Sequence, residues 1–474
     1  MRGIVVIDEK LESVSDLIAS ASVPLNEKQQ MFLHKFISSN RHGILQGLAG
    51  VGKGEMIKLL KKWYGEELAV FCSTGVASQN LSCSYGTAHA YLSLPIKPAT
   101  EYDYKKVSSK SSGLLGGSDK IKIILIDEAF LLNSDNLDVI WRRLERFNRR
   151  YRKRKKRNIR LVLVGDTGQS VTIADDDLKA ELKSRWGSHL MFESSVWDRF
   201  NFEYYVLDKV ERQEDKVFKA CLDVIRYNQK ERFDKCFKWL NKRQSNQYNP
   251  EWIYLAATNK QVDSINESVL NNNPNEKFHF PALIKGDFNI KDTLVRENGV
   301  TICKGLKVMT ITNEEYGRWS NGSTGIVTLA DSEGCYIKFD HSGKEEYVTL
   351  NEWQNKEVYT EDAVDKESGE VVTKVKEKIL GSMVCLPVLP SSSISIMKSQ
   401  GLTISTDYII DLGEDYLYTW KKMGDFATNF LYLGLSRGVD INKIHLKQQV
   451  KPFHVKVSEE SIKFWKYCKE NSLI

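Results

Sequence analysis

The sequence predicts an α/β protein of two units built on parallel sheets, with a small hairpin insertion in the first and a small β-barrel insertion in the second. Three observations carry this expectation. Apolar runs at 44–46, 122–126 and 160–164 each end in glycine or polar residues, and a parallel sheet gathers a ligand site at the carboxyl ends of its strands in this way. Helical stretches with apolar residues on one face alternate with those runs. Between about 301 and 382 the pattern changes to short strands punctuated by Asn321-Gly322, Asp331–Gly334 and His341–Gly343, the mark of successive hairpins.

Length and composition set bounds on this picture. A chain of 474 residues is long enough for about two to four domains. The expected division is 1–195 for the first unit, 196–300 with 383–474 for the second, and 301–382 for the inserted barrel. The net charge of +6 is mildly basic, so local clusters of charge say more about partners than the total does. Eight cysteines are scattered without a C-x-x-C pair, which points away from a zinc site or a disulfide framework and toward a reducing compartment. No charged-then-apolar leader and no run of about 18 apolar residues is present. The expectation is an intracellular, cytoplasmic protein with no membrane partner, in the host cytoplasm if the source is a virus or phage.

Taken in order, residues 1–24 carry a modest helical pattern through Val14, Leu17 and Ile18. Asn26 can cap the next helix, with Gln29 in its first turn. A glutamine just before a phosphate loop can read an adenine edge by paired hydrogen bonds; a solvated helix residue is the alternative. Then comes Gly47-Leu-Ala-Gly50-Val-Gly52-Lys53-Gly54 between an apolar run and a helix expected over Glu55–Tyr64. Strand, glycine-rich loop and helix form a phosphate cradle. Glycines let backbone N–H groups turn toward an anion, the helix start adds its dipole, and Lys53 adds a point charge. The usual motif ends in Ser or Thr, whose hydroxyl ligates magnesium; here that position is Gly54.

Leu68–Cys72 reads as a further buried strand, followed by Ser73-Thr74 and then Gly86-Thr87-Ala88-His89. Small polar residues at that edge contact a ligand or form a plain turn. Residues 93–120, with Pro95, Pro98 and the Gly113–Gly117 cluster, read as an excursion shaped as a small hairpin. The 122–126 run ends in Asp127-Glu128. Beside a phosphate loop, one carboxylate serves the magnesium shell and the next orients or deprotonates water. A helix starting near Asn133, Ser134 and Asp135 leads to the run 149–157, in which eight of nine residues are basic. That run is a footprint for a phosphate backbone, a solvated surface loop or an import-like tract. The strand at 160–164 ends in a turn with Asp166 and Gln169.

From about Val196 the second unit is expected. Its strands are 202–207 and 252–257, each followed by a helix, and the pattern resumes after the barrel with Cys385–Pro390, Tyr408–Asp411 and Phe430–Gly438.

The residues in this order carry a resemblance. Gln29, GLAGVGKG, STGVAS, GTAHAYL, IDEAF, LVGDTGQ, Leu207 to Arg212-Gln213, TNKQVDSIN at 258–266, Lys304–Met309, SNGSTGIV at 320–327, SIMKSQGLT at 395–403 and LYLGLSRG at 431–438 resemble superfamily 1 helicases of the 5′-to-3′ branch. That group holds the PIF-type, phage Dda-like and RecD-like helicases. The resemblance runs from about Leu25 to Phe464. It implies two RecA-like lobes with ATP between them, an SH3-like barrel, and an enzyme that hydrolyses ATP with Mg2+ to move 5′-to-3′ along single-stranded DNA and unwind duplex. It implies that Gly47, Gly50, Gly52, Lys53, Gly54, Gln29, Gln400 and Gly401 bind the nucleotide and that Asp127 organises magnesium. Glu128 is implied as general base, Gln169 as the γ-phosphate sensor, and Arg212 and Arg437 as arginine fingers, with Lys53 on the β- and γ-phosphates. Thr74, His89, Thr258, Asn259 and Lys398 are implied near DNA, residues 93–120 as a strand-separating pin, and 301–382 as a DNA clamp. The implied partners are single-stranded DNA, forked duplex and replication, recombination or repair proteins, with the helicase acting as a monomer.

The chain departs from that pattern at Gly54, at Met397 where a His is usual, at Ser170-Val171-Thr172 in place of a Leu-Pro-Pro-like segment, and at Ala129-Phe130, which is closer to viral RNA helicases. Gly54 leaves open a helicase-fold protein that binds single strands with little hydrolysis. Asp-Glu-Ala-Phe leaves open an RNA-directed helicase.

Overall fold

A computed structural model describes residues 13–74, 77–78, 81, 83–95, 97–105, 120–152, 158–169, 172, 174–245, 249, 252–288, 290, 295–312, 314, 317–319, 322–364, 371–413, 420–421 and 423–474. The chain folds as two compact units. One holds Met1–Tyr248, Leu255–Thr258 and Ser395–Ile474, and the other Asn249–Tyr254 and Asn259–Ile394.

The first unit is organised by a five-stranded parallel sheet: β1 Gly43–Gly47, β2 Leu68–Cys72, β3 Ile123–Asp127, β4 Arg160–Gly165 and β5 Glu203–Leu207. Their spatial order is β2-β3-β4-β1-β5. β1 to β4 are buried at nearly every position, as strands covered on both faces must be. The helix Lys53–Tyr64 begins directly after the glycine loop and ends at Gly65, whose φ of 54° lies in the left-handed region, a conformation that glycine adopts without a Cβ penalty. Asn26 caps Glu27–Ser38 in a reciprocal box with Gln29. The pattern through Val14 and Leu17 forms the helix Val14–Ala19, capped by Ser13.

Two placements in this unit differ from the expectation. Phe202–Leu207 does not open a new sheet at 196: β5 pairs residue by residue with β1, from Gly43↔Glu203 to Gly47↔Leu207, so the first sheet ends after Leu207. The C-terminal helix Glu459–Glu470 also belongs to this core. Phe464 meets Phe130, Phe192 and Trp197 with ring centroids 5.8, 4.5 and 5.3 Å away. Its apolar stripe matched the aromatic face beside β5 rather than the later strands. In 93–120, the described residues carry a short helix, Glu101–Lys105; residues 96 and 106–119, where the hairpin was expected, lie outside the described ones. So do 153–157 of the basic run. Elsewhere in this unit Tyr408–Asp411 pairs in parallel with Ile444–Leu446, and Ala257 N–H donates to Asp411 O.

The second unit contains a five-stranded antiparallel sheet of Lys307–Thr310, Thr324–Ala330, Gly334–Phe339, Glu345–Thr349 and Val388–Pro390. Inward side chains such as Val327, Ile337, Phe339 and Val348 form its core, and burial alternates most clearly along Gly334–Phe339. Val388–Pro390 takes part in this sheet, so the inserted β structure runs past the expected limit at 382. Asn351–Val364 pairs with Val371–Cys385, whose far end also pairs with Leu283–Gly286.

Candidate nucleotide-binding site

The glycine loop joins β1 to the helix Lys53–Tyr64, with Gly50 and Gly52 at φ 74° and 84°. Both are enforced. A Cβ on Gly50 would stand 2.4 Å from Arg212 Cβ, and one on Gly52 would stand 2.5 Å from Gln29 Nε2. The loop is therefore gripped by the segment that follows β5, where Arg212 N–H donates to Gly50 O at 3.0 Å. A Cβ on Gly54 meets nothing within 4 Å.

Gln29 is buried and committed on both polar atoms. Its Oε1 accepts from Asn26 N–H at 2.8 Å and its Nε2 donates to Val51 O at 2.9 Å. The structure places it as a brace for the loop; reading a base edge would require it to leave both bonds.

Lys53 Nζ donates to Gly47 O at 2.9 Å and Leu48 O at 3.0 Å. Burial pulls its pKa down, and the charges of Asp166, Glu128 and Asp127 oppose that. At the end of β3, Asp127 Oδ1 accepts from Glu128 N–H at 2.9 Å. Burial and then the neighbouring Glu128 charge raise the Asp127 pKa to about 7, the expected response of paired acids away from water. Glu128 holds φ 52°, a left-handed backbone in a non-glycine residue that costs roughly 1–3 kcal/mol and collects at functional sites. Its Oε2 accepts from Gln400 Nε2 at 2.9 Å. Gly401 follows at φ 82°.

Gln169 and Arg437 also meet. Arg437 Nη2 donates to Gln169 Oε1 at 2.6 Å, while Nε and Nη1 donate to Leu433 O and Leu402 O. Arg437 is only 2% exposed. Arg212 Nη1 donates to Ser436 O at 2.9 Å, beside it. Burial, then the charge of Arg437, pushes the Arg212 pKa down to about 10. Two desolvated guanidiniums and Lys53 thus share one site with three acids, and burial disfavours the charged form of each cation. An anion of high charge relieves that strain.

The residues expected near nucleic acid are less gathered. Thr74 Oγ1 accepts from Ala77 N–H at 3.2 Å. His89 lies on the helix Ala88–Leu92 capped by Thr87, and burial lowers its pKa. Thr258 ends the first unit's segment Leu255–Thr258, and Lys398 N–H donates to Ser395 Oγ. Asn259 starts the helix Asn259–Asn272 in the second unit.

Sequence reasoning missed two participants. Tyr432 OH accepts from Ala49 N–H at 3.4 Å and so touches the loop. Arg226 pairs with Asp166 at 2.6 Å, both side chains almost fully buried. An arginine closing an amphipathic helix stripe gives no sequence signal of its own; only the buried turn at Asp166 marked a partner to seek.

A family model for PIF1-like helicases matches residues 24–248, which hold β1 to β5 and the loop. Among curated proteins, the chain is similar to the ATP-dependent DNA helicase RRM3 of Saccharomyces cerevisiae, 27% identical over 340 residues, 69% of this chain and 45% of that protein. It is similar to the ATP-dependent DNA helicase PIF1 of the same yeast, 26% identical over 423 residues, 82% of this chain and 47% of that protein. The chain thus spans about half the length of these two relatives. Among solved structures, the Pif1 helicase from Bacteroides in complex with ADP-AlF3 and single-stranded DNA shares the fold with a TM-score of 0.78 at 23% identity, covering 94% of this chain and 98% of that one. With its loop and first sheet inside the matched segment and the fold shared along nearly its whole length, the chain is similar to the PIF1-like helicases.

Proposed function

We propose that this protein is an ATP-dependent DNA helicase that moves 5′-to-3′ on single-stranded DNA and unwinds forked duplex. One observation carries the reading. Side chains 268 and 272 positions apart, Arg437 with Gln169 and Gln400 with Glu128, bond directly around one glycine loop. Such a site couples distant parts of the chain to the presence of one anion, which is what a motor requires.

In this reading Lys53 and the N–H groups of Gly50–Lys53 hold the β- and γ-phosphates, and Gly47, Gly54, Gln400 and Gly401 complete the nucleotide shell. Glu128, held by Gln400, accepts the proton of the attacking water. Gln169 senses the γ-phosphate, and Arg212 and Arg437 neutralise charge in the transition state, an effect typically worth ~10³–10⁵ in rate. The acid pair fits a divalent cation, because a cation offsets the burial and the Glu128 charge that raise Asp127. Asp127 would hold Mg2+, which would neutralise phosphate charge, with water filling the shell beside Gly54. Single-stranded DNA would be met by Thr74, His89, Thr258, Asn259 and Lys398, the pin by 93–120 and the clamp by the inserted β structure. The protein acts as a monomer inside the cell, in replication, recombination or repair. Among the described residues no helix is long and apolar enough to cross a membrane.

Strand displacement tests the direction and the substrate. Duplex DNA with a 5′ single-stranded tail is unwound with ATP, and 3′-tailed DNA and matched RNA are not. Equal action on both tails, or preference for RNA, overturns the reading. Gly54 favours one alternative, a single-strand-binding protein with little hydrolysis. That alternative predicts DNA binding insensitive to nucleotide and no unwinding of either tail.

A further inference from the structure

Arg226 closes the helix Lys216–Arg226 and is among the most enclosed cations of the chain. Its guanidinium lies over the rings of Trp465, Tyr432 and Tyr227, at 4.7, 5.2 and 5.6 Å from their centroids. It also fixes one glycine: a Cβ on Gly168 would stand 1.9 Å from Arg226 Nη1. A charge so completely desolvated is costly unless paired, and its partner is Asp166 Oδ1 at 2.6 Å.

Asp166 passes that constraint on. Oδ1 also accepts from Gly168 N–H at 2.9 Å, and Oδ2 accepts from Gln169 Nε2 at 3.2 Å. An amide has one donor end and one acceptor end. With its NH2 on Asp166, Gln169 must turn its carbonyl outward, and that carbonyl is the atom that accepts from Arg437 Nη2 at 2.6 Å. A flipped amide would set NH2 against a guanidinium, donor against donor.

We propose that Arg226 is a positioning residue for the nucleotide site, acting through Asp166 to fix the amide of Gln169 and thereby the guanidinium of Arg437. This rests on the reading of Gln169 and Arg437 as the pair that answers the γ-phosphate. Arg226 reaches Gln169 through Asp166, and it also stacks on Tyr432, whose OH accepts from the loop's Ala49 N–H. The effect carried through Asp166 falls on the discrimination between nucleoside triphosphate and diphosphate, whereas one carried through Tyr432 would fall on both nucleotides alike.

The experiment measures binding of a fluorescent non-hydrolysable ATP analogue and of fluorescent ADP to the full chain, for wild type, Arg226→Lys, Gln169→Ala and the double variant. Lysine keeps the charge but loses the planar fork and its stacking. Arg226→Lys is expected to cut the preference for the triphosphate roughly tenfold, the worth of one charge-assisted bond, with ADP affinity within about twofold. In the Gln169→Ala background it adds nothing, because the amide it orients is gone. Equal loss of both affinities, or a further loss on top of Gln169→Ala, overturns the proposal. Gly168→Ala, which pushes the guanidinium aside without touching its charge, must reproduce the lost preference, and supplies the answer should Arg226→Lys fold poorly. Failure of the helicase reading is seen separately, as wild type without DNA-stimulated turnover, and leaves this ratio measurable.

Discussion

Replacing Gly54 with serine restores the hydroxyl that phosphate loops ordinarily offer to magnesium. The structure allows it without displacement, since a Cβ there has open space to 4 Å and the position lies in the first turn of the helix Lys53–Tyr64. Two effects are expected. Serine is better than glycine in a helix by roughly 0.5 kcal/mol, so the midpoint of thermal unfolding rises slightly without Mg2+ or ATP. The hydroxyl then replaces an ordered water whose immobilisation costs about 0–2 kcal/mol. Taking about 1 kcal/mol, half-saturation by Mg2+ falls roughly fivefold. The assay is steady-state ATP hydrolysis with saturating single-stranded DNA, titrated with Mg2+. An unfolding midpoint that rises while the Mg2+ titration does not move would put the serine outside the metal's reach and refute a water-filled place in the metal shell beside Gly54. An inactive wild type rescued by Gly54→Ser would instead favour the weakened-hydrolysis alternative.

Two further outcomes follow from the same geometry. Asp127 has its pKa raised to about 7 from an ordinary 3.8. Between those values the folded protein holds a proton that the unfolded chain releases, so this group's stability contribution is present below pH 4 and is lost as pH rises through about 7. His42 and His454, lowered by burial to about 4, act oppositely between about pH 4 and 6.5. The test is thus a difference in Mg2+-free denaturation: Asp127→Asn gains on wild type steadily from pH 4 to 7, and a pH-independent difference contradicts the assignment. Phe464→Ala removes a ring stacked on Phe192 and edge-on to Phe130 and Trp197; urea denaturation should show a loss of about 3–5 kcal/mol, whereas a loss under about 0.5 kcal/mol would mean that the terminal helix does not complete this core.

The buried strands were the most legible part of the chain. β2, β3 and β4 lie within a residue of the runs that announced them, because a strand covered on both faces is an unbroken apolar run in sequence. The loop was legible for the opposite reason, since its glycines meet a backbone need that few sequences state by accident. Strand order was not legible. Nothing local in Phe202–Leu207 says that it pairs with Gly43–Gly47, 160 positions earlier. Nor does Phe464 announce its aromatic partners. The motif order marks Gln29, but not its burial or the bonds that tie both polar atoms into the capping box and the loop. The Arg226–Asp166 pair shows the same limit, since a tertiary contact between a helix end and a turn leaves no periodicity behind.

In the proposed function, Lys53, the acid pair and the two arginines form an ATP site that answers to DNA. The most direct measurement is ATP hydrolysis with and without single-stranded DNA, for wild type and Lys53→Ala. Lys53 Nζ now sits between Gly47 O and Leu48 O, within the cradle where a phosphate charge would be met. Wild type should be strongly stimulated by the DNA, and Lys53→Ala should lose roughly 10²–10³ in turnover, the usual cost of one removed electrostatic donor. Equal rates near background for the two proteins would mean that this loop does not power a helicase.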